Sequence, residues 1–239
     1  MPMTGWTRPR FAPGGADAFL AYAMLGNVPE SVPLPKVAAD VPGLSLRRFT
    51  AAEHASTINS FLSGPDLKRV GREDPELALK ARGAATLALV TATVPDPGDL
   101  LYLRRLRHTI AALIAAGATT MFDAPAAQWW RVERWRSEIL APAELSVIDE
   151  VIVHVDEQDG LFWVHTRGMR KFGRPDLSMH DVPRGAREQA ETICRAAALS
   201  QIEGERIVPG VPYDGFTWES VGGAEDPAFD NAYIAASWH

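Results

Sequence analysis

The chain has one cysteine, Cys194, among 239 residues. An intramolecular disulfide framework is therefore excluded, which suits a reducing compartment. Long apolar runs are missing too. Phe19–Leu25 is interrupted by Tyr22 and falls far short of the about 18 residues of a membrane span. Arg8 and Arg10 precede it in the manner of a signal peptide, but Pro13-Gly14-Gly15 and Asp17 intervene and no small-residue cleavage site follows. A cytoplasmic protein with no membrane partner is expected. Positive charge is in deficit: 24 Lys and Arg against 30 Asp and Glu leave a net charge of −6. That argues against general nucleic-acid binding while permitting a local basic patch. GxSxG, Walker A, GxGxxG, CxxC and HExxH motifs are all lacking. No cofactor is expected, and whether the chain is an enzyme is left open.

What is present centres on Val151–Gly173, VIVHVDEQDGLFWVHTRGMRKFG. Asp159-Gly160 lies between two β-rich runs, and a type I′ turn needs two residues that tolerate positive φ. Counting outward pairs Gln158 with Leu161, Asp156 with Trp163, His154 with His165, and Ile152 with Arg167. Val151, Val153 and Val155 then share a core face with Phe162, Val164 and Thr166. The other face carries Ile152, His154, Asp156, Trp163, His165 and Arg167. It reads as a two-histidine metal site if a third ligand joins His154 and His165, as a His/Asp acid–base pair, or as a pocket for an anion. Before any of these it reads as a sheet face on which His and Trp pack against neighbours. A basic tail follows: Arg167, Arg170, Lys171 and Arg174, four charges in eight residues. An anion site that includes Trp163, or surface ion pairs, would use it.

Around this hairpin the chain reads as scaffold. Residues 1–43 form a Pro/Gly-rich lead packed on the body, with a short helix expected over Ala16–Leu25. Residues 44–239 are expected to form a single α+β domain. Leu44–Phe49 is a strand, and Thr50-Ala-Ala-Glu53 is a capping box for a helix ending near Gly64-Pro65. Ala84–Val94 is a nearly continuous apolar strand. Asp96 and Pro97 open a helix whose Leu103, Leu106, Ile110 and Leu113 recur at helical spacing, with Arg104, Arg105 and Arg107 on its solvated side. Thr119–Asp123 is the next strand, and Asp123, at a strand end, is a further catalytic candidate.

From Pro125 a helix is expected in which Trp129, Trp130 and Trp135 alternate with Arg131, Arg134 and Arg136. That pattern packs against a core or stacks bases and anions. Asp181 is expected to cap a helix over Arg184–Glu203, and short strands follow at 206–208, 216–221 and 232–238. Asp226, Asp230 and Asn231 lack the alternation and the terminal Glu of a calcium loop and read as a turn. Residues 84–208 fit a ferredoxin-like βαββαβ core with the Trp-rich helix inserted and extra strands at the C-terminus.

His165-Thr-Arg-Gly-Met-Arg-Lys-Phe-Gly-Arg-Pro-Asp176 resembles an HTxGMxxFGxPD stretch of uncharacterised bacterial proteins. Asp226-Pro-Ala-Phe-Asp-Asn231 is similar to their DPxFxN ending, with Ala228 and Asp230 departing from its usual form. The resemblance implies a bacterial source and carries over no catalytic residue. The sequence thus leads to a non-catalytic binding module for a partner protein or a small anionic ligand, with homodimerisation left open. A metal-dependent or His/Asp hydrolase is the alternative, using His154, His165, Asp156 or Asp123. Nucleic-acid binding through the Trp/Arg segment comes third.

Overall fold

The structure, a computed structural model, describes residues 6–142, 150–221 and 233–238. The fold is mixed α+β, and the chain divides into two compact units rather than a lead on one domain. The Asp226–Asn231 turn lies outside the described residues. Among the described residues no helix is long and apolar enough to cross a membrane.

One unit comprises Phe19–Val94 with Leu100–Leu145. Its sheet has the order β2-β3-β1-β4-β5. The expected N-terminal helix is instead β1 (Ala18–Gly26), the middle strand of this sheet. A short run that is apolar on both sides cannot be told apart as helix or buried strand by periodicity. Ala23 and Leu25 enter one core cluster, while Tyr22 and Met24, which alternate with them, are equally buried. Strand β2 (Ser45–Thr50) pairs antiparallel with β3 (Thr86–Val94). Strand β4 (Ala118–Asp123) pairs antiparallel with β1 and with β5 (Gln128–Arg131).

Helices α1 (Ala51–Leu62), α2 (Pro65–Glu73) and α3 (Pro75–Arg82) supply Ile58, Leu62, Leu67, Leu77 and Ala81 to the cluster that holds Ala23 and Leu25. The Thr50 cap forms as expected on one side, with its Oγ1 accepting from Glu53 N. The Thr50 N–H goes to His54 Nδ1 rather than to Glu53. Helix α4 (Leu101–Ala115) buries Leu103, Leu106, Ile110 and Leu113. It begins later than expected, because Asp96 is engaged elsewhere. Arg107 is buried rather than solvated and donates to Ile139 O at 2.8 Å.

The Trp-rich segment is not one helix. Residues 124–127 turn, with Ala127 at φ 50°, and Gln128–Arg131 folds back on β4. Only then comes the single turn α5 (Val132–Trp135), continued by a π-helical turn over Arg136–Leu140. Trp129, Trp130 and Trp135 are all buried, Trp129 against Phe61 and Phe122. Arg131 forks onto Asp74, with Nε and Nη2 at 2.7 and 2.6 Å from the two carboxylate oxygens. Aromatics with this little exposure cannot stack bases, so the structure gives the nucleic-acid reading no surface here.

The other unit draws on Met1–Ala18, Pro95–Asp99 and Ser146–His239. Its sheet order is β11-β12-β8-β7-β6. The expected βαββαβ core needs one sheet, but β3 and β4 belong to the first unit and β6, β7 and β8 to the second. Residues 206–208 are not a strand. Strands β6 (Ile152–Gln158) and β7 (Leu161–Arg167) form the hairpin, and β7 also pairs antiparallel with β8 (Asp176–Val182). A small hairpin, β9 (Pro212–Tyr213) and β10 (Phe216–Thr217), precedes β11 (Glu219–Val221). Strand β12 (Tyr233–Ser237) runs parallel to β8. Helix α6 (Arg187–Ile202) packs on β7 and β8. Its C-terminal carbonyls at Gln201 and Ile202 accept from Arg8, a cation where the helix end is negative.

Candidate functional site

The hairpin has the register counted from the sequence, from Ile152↔Arg167 to Gln158↔Leu161. Asp159 and Gly160 take φ of 51° and 83°, the two positive values a type I′ turn requires. Arg184 and Arg187 lie over the Phe162 ring at 5.7 and 5.6 Å, which puts Phe162 on the α6 side of the sheet. Alternation places Val164 and Thr166 there as well, and Trp163, His165 and Arg167 on the opposite face.

That opposite face gathers aromatic and polar groups from three strands. His154 and His165 stack across β6 and β7 with centroids 5.2 Å apart and planes 18° apart. Trp163 lies 4.0 Å from His165 and 5.6 Å from His180 of β8, nearly parallel to the latter. Trp163 Nε1–H donates to Ser178 Oγ at 2.7 Å, and the same oxygen is 2.9 Å from His180 Nε2. Since an indole N–H only donates, Ser178 accepts from it and has its own proton to give to His180. Trp163 also packs with Tyr233, Val221 and Ala235. Ser178 and His180 carry the face onward, and sequence reasoning did not single out Ser178. The signal was the Ser-x-His alternation one strand away, which has meaning only once β8 is known to lie beside β7.

His165 is 4% exposed. Burial, reinforced by His154, Arg167 and His180, pushes its pKa down to about 3. Asp156 Oδ2 is 3.7 Å from His165 Nδ1 but is more than half exposed, so water screens its pull. His165 is accordingly neutral at ordinary pH. Stacked, nearly parallel imidazoles direct their nitrogen lone pairs side by side rather than at one point, a poor arrangement for a shared metal. Among the described residues no three His, Cys, Asp or Glu side chains form a group that could hold one. Asp123 is in the other unit, where its Oδ1 accepts from Ala126 N at the start of the β4–β5 loop.

The basic tail does not form one surface. Gly168 and Gly173 bracket a 3₁₀ turn, Met169–Phe172, with φ of 116° and 65°. A side chain at either would meet backbone, at Glu150 O and Ala16 O respectively. The turn drives Lys171 inward, fully buried, to pair with Glu150 at 2.5 Å. Arg174 is also buried, paired with Asp96 at 3.0 Å and hydrogen-bonded to the carbonyls of Ala12, Gly173, Gly204 and Glu205. Asp96 accepts in addition from Gly14 N and Gly15 N, so it caps no helix. A lone buried cation is prohibitively costly, and each has recruited a carboxylate. Only Arg167, partly exposed, and Arg170, exposed, present charge outward.

On the α6 side, a surface cavity of about 660 Å³ is lined by Phe162, Arg184, Gly185, Arg187, Glu188 and Glu191. Its arginines pair with Glu157 and Glu191 at 2.7 and 2.9 Å, so it carries no excess positive charge. Cys194 is buried, and burial pushes its thiol up to about 12, which leaves it inert as a nucleophile. Compared with known proteins, the chain matches no family model, no curated protein and no solved structure.

Proposed function

We propose that the chain is a non-catalytic binding module that takes a partner protein on the face of β6, β7 and β8. The observation that supports this most is the position of Ser178. Its oxygen is buried and held by the Trp163 indole, and it is shared with His180. Ser178, Trp163 and His180 thus satisfy one another. At the hairpin and its tail Asp156 and Arg170 are exposed, and His154 and Arg167 are half-buried. Such mixed charge suits a protein surface better than a small anion, because Lys171 and Arg174 are spent on internal carboxylates. The setting in this reading is a bacterial source, implied by the HTxGMxxFGxPD stretch, and the cytoplasm expected from the composition. A photoreactive residue at position 170 tests it in cells. The expected result is one defined protein adduct that disappears when Asp156 and Arg167 are replaced by Ala. An adduct indifferent to both changes, or none, contradicts the reading.

The 3.7 Å approach of Asp156 to His165 favours a second reading, a His/Asp hydrolase. A base with a pKa near 3 is a weak proton acceptor at neutral pH. Turnover of simple esters or phosphomonoesters that is lost in His165→Ala and Ser178→Ala would favour this reading over the first.

A further inference from the structure

Among the described residues, strand β6 stands at the end of its sheet. Its inner edge pairs with β7 in unbroken register over all seven residues. A two-residue type I′ loop makes Gln158↔Leu161 a hydrogen-bonded pair. Alternation then turns the backbone N–H and C=O groups of Ile152, His154 and Asp156 toward β7, and those of Val153, Val155 and Glu157 toward the outer edge. A straight edge without proline or bulge is a template for another strand. The other sheet ends are blunted: β11 has three residues, β5 has four, and β2 carries Arg47 and Arg48.

We propose that β6 pairs antiparallel with β6 of a second copy of this chain, about a twofold axis at Val155. The two five-stranded sheets would then join edge to edge. The charge pattern of the strand selects this occupant. With the axis at Val155, His154 faces the partner's Asp156, and Asp156 faces the partner's His154. Both pairs fall at positions where opposed side chains approach most closely. Val153, Val155 and Glu157 meet the partner's Glu157, Val155 and Val153, so every outward backbone group of one copy finds its complement in the other. An axis at Asp156 or Glu157 would set like carboxylates face to face, and an axis at His154 would set imidazole against imidazole. Strand pairing alone buries less than the about 1,000 Å² of a lasting interface, so the dimer is concentration-dependent. This contact uses the edge of β6, whereas the proposed partner uses the face; Asp156 serves both, and the cross-linking register at 155 and 153, which the partner reading does not predict, tells them apart.

Sedimentation velocity of the full chain from about 5 µM to about 500 µM tests the association, and cysteine cross-linking tests the register. Opposed Val155 Cα atoms would lie about 5.5 Å apart, within disulfide reach. Paired Val153 residues would be separated by four residues along the strand, more than about 13 Å. Expected are a shift from monomer to dimer mass, rapid oxidation of Val155→Cys to a covalent dimer, and little from Val153→Cys. The native Cys194 is buried and contributes no background. Asp156→Lys, at a side chain more than half exposed, should weaken association about tenfold. A monomer at every concentration, or equal cross-linking at 153 and 155, or an Asp156→Lys protein that dimerises like the parent, overturns the proposal.

Discussion

Arg174 donates to the Asp96 carboxylate at 3.0 Å, and its remaining N–H groups reach carbonyls at residues 12, 173, 204 and 205. One guanidinium fastens an N-terminal segment, the Pro95–Asp99 segment and the end of α6 to the hairpin's tail. Arg174→Ala is expected to cost about 3 kcal/mol or more in urea unfolding, since it strands a carboxylate and several carbonyls. Arg174→Lys should recover little, because an ammonium lacks the planar fork. Burial alone would raise the pKa of Asp96, but Arg174 and the Gly14 and Gly15 amides outweigh it and hold the carboxyl below its usual range. A lowered folded-state value contributes stability at pH above about 3.9, the unfolded carboxyl's value. That contribution is lost as pH falls through the folded value. In Arg174→Ala the acid limb of the stability curve should therefore flatten.

Lys171 and Glu150 form a second interior pair, both nearly free of solvent exposure. Lys171→Ala and Glu150→Ala should each destabilise by about 3–5 kcal/mol. A double-mutant cycle should find the two changes strongly non-additive. Lys171→Met with Glu150→Leu, filling the same space with apolar atoms, should be tolerated much better than either alanine. Additive losses would mean the two charges act independently.

The Trp163–Ser178 hydrogen bond gives a test of the face itself. Ser178→Ala removes the acceptor of a buried indole N–H and is expected to cost about 1–3 kcal/mol. It should also shift and quicken the solvent exchange of the Trp163 Nε1–H signal in a nitrogen-edited NMR spectrum. Trp163→Phe combined with Ser178→Ala should cost less than the sum of the two. An unchanged indole signal in Ser178→Ala would rule out the bond.

Short-range signals were legible in the sequence wherever one local rule decided the outcome. Asp159-Gly160 gave the hairpin register to the residue, and Thr50 with Glu53 placed the start of α1. Ala84–Val94 and Thr119–Asp123 were read as strands within two residues of their ends. What failed depended on neighbours that the chain does not announce. Phe19–Leu25 looked helical because an apolar run has no period, and it became a central strand. The Trp/Arg segment kept its helix-like spacing, but Ala127 turned it back onto β4. Lys171 and Arg174 looked like surface charge because their carboxylates lie 21 and 78 residues away. The aromatic face was half legible: His154, Trp163 and His165 were placed together, whereas Ser178 and His180 required the β7–β8 pairing.

His165 is a neutral packing group on the face of β6, β7 and β8 and, under the proposed binding function, no acid–base catalyst. Its folded pKa, pushed by burial to about 3, lies below the 6.5 of an unhindered imidazole. The unfolded chain therefore takes up a proton that the folded chain refuses as pH drops below about 6.5, and stability falls by about 1.4 kcal/mol per pH unit until about pH 3. His165→Gln should remove that slope. The most direct measurement is an NMR titration of the His165 ring in the intact chain, assigned by comparison with His165→Gln. The account predicts carbon and nitrogen shifts of a neutral imidazole, unchanged from about pH 8 to about pH 5. A midpoint near 6.5 or above would contradict it and return His165 to the groups that can move a proton at neutral pH.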